Sequence, residues 1–307
     1  MGQVIRTSIS LSAWPELDQR LWYSATTKGE FLAPDGKAAH WVPETKRQVE
    51  KGYGKWVYYL TLVSALPSEE SVSPFDRVTK DRLRAYVDLL TNQGLASQTI
   101  ASRLTDLCEA LRVMCPSCDL TVIKHLVSVL NMRATPSRNK AARIKHPFEI
   151  WGAACKAMDD AHTTDELTPL HRSCAYRDAL ALGLLALRPI RLKNLTQLTL
   201  SEQLRFDGSQ WQCSFSGYET KDKQPLHFAL PTDVTFVTCF ERYLTEHRPV
   251  LLRDPHDEKA GILPSQLTGP LWISTRRKRM SQQALYCNIC QLSERLLGVR
   301  LNPHLMR

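Results

Sequence analysis

The chain has 307 residues, 43% hydrophobic and 23% charged, a balance that allows two domains with separate cores and excludes a disordered or fibrous polypeptide. No apolar run nears the roughly eighteen residues of a membrane span, and Met1-Gly2-Gln3-Val4-Ile5-Arg6 lacks a secretory apolar stretch, so the cytoplasm is the expected compartment. Forty basic residues against thirty-one acidic leave a formal charge of +9, which points to a polyanionic partner.

The first 70 or so residues are rich in aromatics, with Trp14, Trp22, Trp41 and Trp56; they read as packing rather than as a base-stacking platform. Apolar spacing beyond Gly54 predicts a short helix there. Thr79 suits an N-cap, Asp81 a first turn, and Leu83, Tyr86, Val87 and Leu90 an apolar stripe that Gly94 ends. A second helix is predicted from Ser97 through Ile100, Leu104, Leu107 and Leu111 to Met114, before Pro116, and a third from Leu120 to Leu130. The second helix is expected to expose Ser102, Arg103 and Thr105, residues able to touch a phosphate. Residues 133–145 carry Arg133, Arg138, Lys140, Arg143 and Lys145, no acid and no apolar period, which marks a basic linker suited to a nucleic-acid backbone.

From Phe148 helical spacing resumes, through Ile150–Met158 and Leu170–Leu187. After Leu200 the period changes. Gln203–Phe206, the Asp207-Gly208 turn signal and Trp211–Phe215 predict a β-hairpin, with a third strand at Leu226–Leu230. Helices follow at Phe236–Glu246 and Ser281–Leu297. The expected fold is mainly α with a small antiparallel sheet. Its expected organisation is an arm at 1–74, a helical domain at 75–133, a linker at 134–146 and a second domain at 147–307.

Nine cysteines, an odd number, argue for reduced thiols rather than a disulfide framework. Two CxxC pairs, Cys115/Cys118 and Cys287/Cys290, lie far apart in the chain, the second within a predicted helix, so no metal is expected. Glycine-rich phosphate loops, HExxH and GxSxG are all absent. What remains is a set of basic residues in unusual settings. Arg191 follows Arg188-Pro189-Ile190 at a helix start, with Leu195 and Leu198 on the apolar face behind it. At the edge of a core it needs an anionic partner, which an internal carboxylate or a ligand could supply. Lys221 lies in the turn Glu219–Pro225 between predicted strands, either as an ordinary solvated lysine or as an ammonium reaching into a groove. His304 and Arg307, three residues apart, share one face of a helical turn and can grip one anion.

An arginine heading leucines at plus four and plus seven, a hairpin lysine seven residues before Phe228, and a late His-x-x-Arg preceded by Asn302-Pro303 together resemble the tyrosine recombinase (phage integrase) family. The resemblance covers residues 75–307, with 75–133 similar to the family's helical core-binding domain and 147–307 to its mixed α/β catalytic domain. It implies site-specific cleavage and rejoining of double-stranded DNA through a phosphotyrosine, without cofactor or metal, by a homo-oligomer assembled on DNA. It implies further that Arg191 and Arg307 bind the phosphate, that Lys221 is the general acid and that His304 assists proton transfer. Arg103, Arg138, Lys140, Arg143, Lys145, Arg277 and Lys278 are expected to contact DNA, and the protein to be DNA-associated in the cytoplasm.

Two departures qualify the resemblance. Asn194 stands where the family commonly has an acid, and the family places its nucleophilic tyrosine after the His-x-x-Arg motif, at which this sequence stops. The expectation is a recombinase cut before its nucleophile; the alternative is a non-catalytic DNA-binding protein derived from an integrase. The polypeptide of residues 1–307 is therefore expected to bind DNA and to form no covalent adduct with a suicide DNA substrate. Such an adduct, seen on a denaturing gel, would overturn that expectation.

Overall fold

The computed structural model describes residues 8–66, 72–136, 143–252 and 267–306. It divides into two compact units, Met1–Arg138 and Asn139–Arg307.

The first unit is helical: α1 (Glu16–Thr26), α2 (Pro43–Leu62), α3 (Lys80–Asn92), α4 (Ser97–Met114) and α5 (Thr121–Arg133). Thr79 caps α3, its hydroxyl accepting from Arg82 N, which meets one of the free amides at a helix start. Helix α2 is longer than its spacing suggested and runs unbroken through Gly52 and Gly54. Both glycines face neighbours too close for a side chain, Asp106 against Gly52 and Ser8 with the Ile9 carbonyl against Gly54. Close packing thus outweighs the roughly 1 kcal/mol helix penalty of each glycine.

One core crosses the boundary expected at residue 74. Trp14, Trp22, Tyr53 and Trp56 are buried together with Leu83, Tyr86, Leu104, Leu107 and Leu111. Tyr53 lies edge-on to Trp14 at 4.7 Å, and Tyr86 edge-on to Trp56 at 5.2 Å, an arrangement that adds to area burial. Within this core Asp18 and Arg77 are paired and buried, and the Tyr53 hydroxyl donates to Asp18 at 2.6 Å. Burial and the Asp18 charge hold the Tyr53 phenol well above its ordinary range.

The second unit is built around α7 (Pro169–Leu187), buried on nearly all sides, with α6 (Pro147–Thr163) and α11 (Gln282–Leu297) against it. Arg177, on α7, donates to the Ile273 carbonyl and pairs with Asp178, which accepts from Asn288 of α11 at 2.9 Å. After α8 (Leu192–Gln197) come β1 (Thr199–Leu200), β2 (Leu204–Phe206), β3 (Trp211–Phe215) and β4 (Leu226–Ala229). Helix α9 (Val234–Arg242) then continues through a wide turn, Tyr243–His247, into α10 (Arg248–Leu252), and β5 (Gly269–Pro270) completes the sheet in the order β4-β3-β2-β1-β5. The expected antiparallel sheet is corrected to a mixed one. β2–β3, β3–β4 and β1–β5 are antiparallel, but Leu200 pairs with Leu204 in parallel. The link between them is a tight turn in which Ser201 is left-handed, φ 67°, and its amide donates to the Leu204 carbonyl at 2.9 Å. None of the described helices is long and apolar enough to cross a membrane.

Replacing Asp18 by Ala strands the Arg77 charge in the first core. The expected loss is about 3–5 kcal/mol, measured by urea unfolding; a change under 1 kcal/mol would show that water reaches the pair.

Candidate phosphate-binding site

Arg191 owes its position to a break in the chain. Helix α7 ends at Leu187, and Pro189 lacks the amide that would continue it. Ile190 is buried, and Arg191 follows in extended conformation as the residue capping α8 (φ −65°, ψ 140°). Helix α8 buries Leu192, Asn194, Leu195 and Thr196, so Arg191 is fixed at the rim of a core while its side chain stays partly exposed.

That side chain points to the loop between β3 and β4. Nη1 donates to Asp222 Oδ1 at 3.0 Å and Nη2 to Oδ2 at 3.3 Å, a two-pronged geometry that suits a planar carboxylate or a phosphate. Bonding from Arg191 holds the Asp222 carboxyl below its ordinary range. Lys221 is the preceding residue and is exposed. The structure therefore brings Arg191 and the turn of Lys221 together through Asp222.

The loop is organised from within. Glu219 accepts from Ser216 N and Ser216 Oγ, both at 2.7 Å, and from Gln203 Nε2 at 2.7 Å. The buried Thr220 hydroxyl donates to the Gln224 carbonyl at 2.7 Å, and Lys223 adopts a left-handed φ of 56°. Lys221 and Asp222 sit at the crest of this closed turn. At its other side, Arg188 Nε donates to the Ala229 carbonyl at 3.1 Å, tying the end of α7 to β4.

The C-terminal residues are anchored separately. Ser293 of α11 accepts from Leu301 N at 2.9 Å, and Asn302 Oδ1 accepts from His304 N and Leu305 N at 3.0 and 3.1 Å. This starts a turn at the Asn302-Pro303 pair and leaves His304 exposed. Arg307 lies outside the described residues, and with it the shared face of the His-x-x-Arg pair. Among the described residues no hydrogen bond joins His304 to Arg191 or to the Lys221 loop.

Of the expected DNA contacts, Arg138 and Lys140 also lie outside the described residues. Arg143 donates to the Arg300 carbonyl, and Lys145 pairs with Glu149 in the first turn of α6 at 2.9 Å. Arg277 and Lys278 are exposed on a tight turn. The expectation that Arg103 is exposed is corrected: its residue is 7% exposed, and its Nε and Nη1 are buried with no hydrogen-bond partner among the described residues. Helix α4 packs on several neighbours, so its buried face is wider than a three-and-four stripe and takes in position 103. Burial, followed by the Arg103 charge, lowers the Lys55 ammonium from its ordinary range. The Ser102 and Thr105 hydroxyls donate to carbonyls of their own helix, at 2.8 and 2.9 Å.

Sequence reasoning missed three residues here. Asp222 could have been suspected as the acid beside a turn lysine, but its partner is 31 positions away. Glu219 fixes the loop. Arg279 donates to the Thr196 carbonyl at 3.1 Å and to Thr199 Oγ1 at 2.8 Å, closing the end of α8 opposite Arg191. Asn194, in the acid's place, buries an Nδ2 that has no partner among the described residues, an arrangement that costs about 1–3 kcal/mol.

Chemically, Asp222 holds the two guanidinium donors of Arg191 that any other anion would have to compete for. Replacing Asp222 by Asn removes this competitor. The expected gain in affinity for a duplex oligonucleotide is about two- to five-fold, the worth of an exposed ion pair, read by fluorescence anisotropy. Weaker binding would mean that the carboxylate serves to aim the guanidinium. No protein-family model matches the chain, and none of the curated proteins does.

Proposed function

We propose that the chain carries the DNA-binding part of a site-specific recombinase of the tyrosine type and itself binds DNA without cleaving it, with Arg191 and Lys221 in the part of the site that grips the scissile phosphate. The observation that carries this reading is the Arg191–Asp222 pair, which sets a forked cation beside the turn that presents Lys221. Together with the order arginine, hairpin lysine, His-x-x-Arg in the sequence, it favours one substrate class, a phosphodiester of double-stranded DNA.

In this reading the Arg191 guanidinium bonds two non-bridging oxygens and offsets the charge that grows as phosphorus becomes pentacoordinate. Arg307 adds the second guanidinium. In the family's reaction the nucleophilic tyrosine, which none of the residues named here supplies, bonds to phosphorus while the bond to the 5′-oxygen breaks, and Lys221 gives that leaving oxygen its proton. His304 assists proton transfer. The phosphotyrosine conserves the energy of the broken bond, so a second 5′-hydroxyl can reverse the step without a nucleotide cofactor.

The first test is salt-dependent binding of duplex DNA by the chain. Arg191→Ala should weaken it roughly tenfold, as expected for loss of a charge-assisted contact of about 1.5 kcal/mol. Lys221→Ala should weaken it less, because a general acid acts in the reaction rather than in the ground state. Absence of duplex binding by the unaltered chain at low salt would sink the proposal.

A further inference from the structure

We infer that the turn Cys115–Cys118 is a reversible dithiol–disulfide site, whose substrates are small disulfides of the oxidised-glutathione class. The site lies in the first unit and is independent of Arg191.

The two Cys-x-x-Cys pairs of the chain fold differently. Cys287 and Cys290 both lie inside α11, where residues three apart hold their Cβ atoms about 5–6 Å apart. A disulfide spans only about 3.5–4.5 Å between Cβ atoms. Cys115 and Cys118 instead open and close a turn, in which Cys118 N donates to the Cys115 carbonyl at 3.1 Å. Such a turn brings its first and fourth Cα atoms within about 7 Å, and a disulfide needs about 4.4–6.8 Å. Both thiols are free.

The turn is held from both sides. Cys115 ends α4, its amide donating to the Leu111 carbonyl at 2.8 Å. Beyond Cys118, Asp119 Oδ1 accepts from Thr121 N at 2.9 Å at the start of α5. Pro116 takes the second position of the turn, where its fixed φ is favoured. Joining the sulfurs therefore needs little further ordering, and each thiol meets the other at high effective concentration.

The two thiols differ in access. Cys115 is buried, its Sγ 3.9 Å from the Ser73 hydroxyl, whereas Cys118 is half-buried at the edge of the same core. Burial pushes the Cys115 thiol up from its ordinary range; the Ser73 hydroxyl opposes this, and a charge on Cys118 adds to it. Cys118 is therefore the attacking group. Its thiolate bonds to one sulfur of the small disulfide and expels the other as a thiolate, leaving a mixed disulfide. Cys115 then loses its proton, bonds to the Cys118 sulfur and expels the second small thiolate. Each expelled thiolate takes up one of the protons that the cysteines released. The chain is oxidised by two electrons, and the small disulfide is reduced to two thiols.

The test treats the full chain with glutathione disulfide and glutathione at a series of ratios, followed by acid quenching, alkylation and mass spectrometry. Trypsin releases residues 113–124, which contain these two cysteines and no others. In the oxidising buffers this peptide should appear two hydrogens lighter and unalkylated. Restoring glutathione should return it to the doubly alkylated form. Cys115→Ala should instead accumulate a glutathione adduct on Cys118, at the initial rate at which the unaltered chain forms its bridge. In Cys118→Ala, Cys115 should react slower than that by about tenfold or more; an equal rate would overturn the assigned order of attack. Circular dichroism checks that each chain stays folded. A stable adduct on the unaltered chain, or both its cysteines alkylated after the most oxidising buffer, overturns the inference, and this measurement needs no variant.

Discussion

The carbonyls of one six-residue helix are the constraint on which the second unit's site depends. A helix as short as α8 leaves most of its backbone acceptors without partners of its own, and α8 is buried, so each must be met by something else. Thr196 Oγ1 returns to the Leu192 carbonyl at 2.8 Å. The Leu195 carbonyl accepts the Trp272 indole at 2.8 Å, and the Thr196 carbonyl accepts Arg279. Trp272 and Arg279 come from the two sides of one turn, so the groups that satisfy α8 also hold the basic turn against it. The same helix begins with Arg191. Its fixed ends are therefore a consequence of hydrogen-bond satisfaction in a low-dielectric core, where an unmet carbonyl would be costly.

Local pattern made much of the helical and hairpin structure legible. The Thr79 cap, the α4 stripe and the Asp207-Gly208 hairpin each depend on residues within a few positions of one another. The start of α8 at Arg191 was readable for the same reason, since a proline and a leucine period flank it. The missing parts depend on distant neighbours. The helix read from spacing only beyond Gly54 extends back through Gly52, where Asp106 and Ser8 press close on the two glycines. The parallel pairing of Leu200 with Leu204 goes with a turn in which Ser201 is left-handed, a conformation that a serine does not announce.

Arg103 and Arg191 show how far charge can mislead as a guide to position. Both were read as cations near a surface. Arg103 instead lies in a core beside Tyr86 and near a lysine, two of its nitrogens without a partner among the described residues. Arg191 is exposed enough to exchange partners and already holds one. An arginine's long stem allows either outcome, and the neighbouring elements decide which. Asp222 and Arg279 escaped notice because each reaches its partner across more than thirty positions of sequence.

The tethered carboxylate has a consequence for selectivity. Asp222 is covalently part of the loop that faces Arg191, so it competes at a fixed effective concentration that no dilution removes. A small free anion must outbid it with one contact and gains little. A polymer carrying many phosphates engages several cations at once, and its second contact comes at the cost of ordering already met by the first. Under the proposed function the pair would act as a modest threshold, favouring a ligand long enough to bind elsewhere on the protein at the same time over a single small anion.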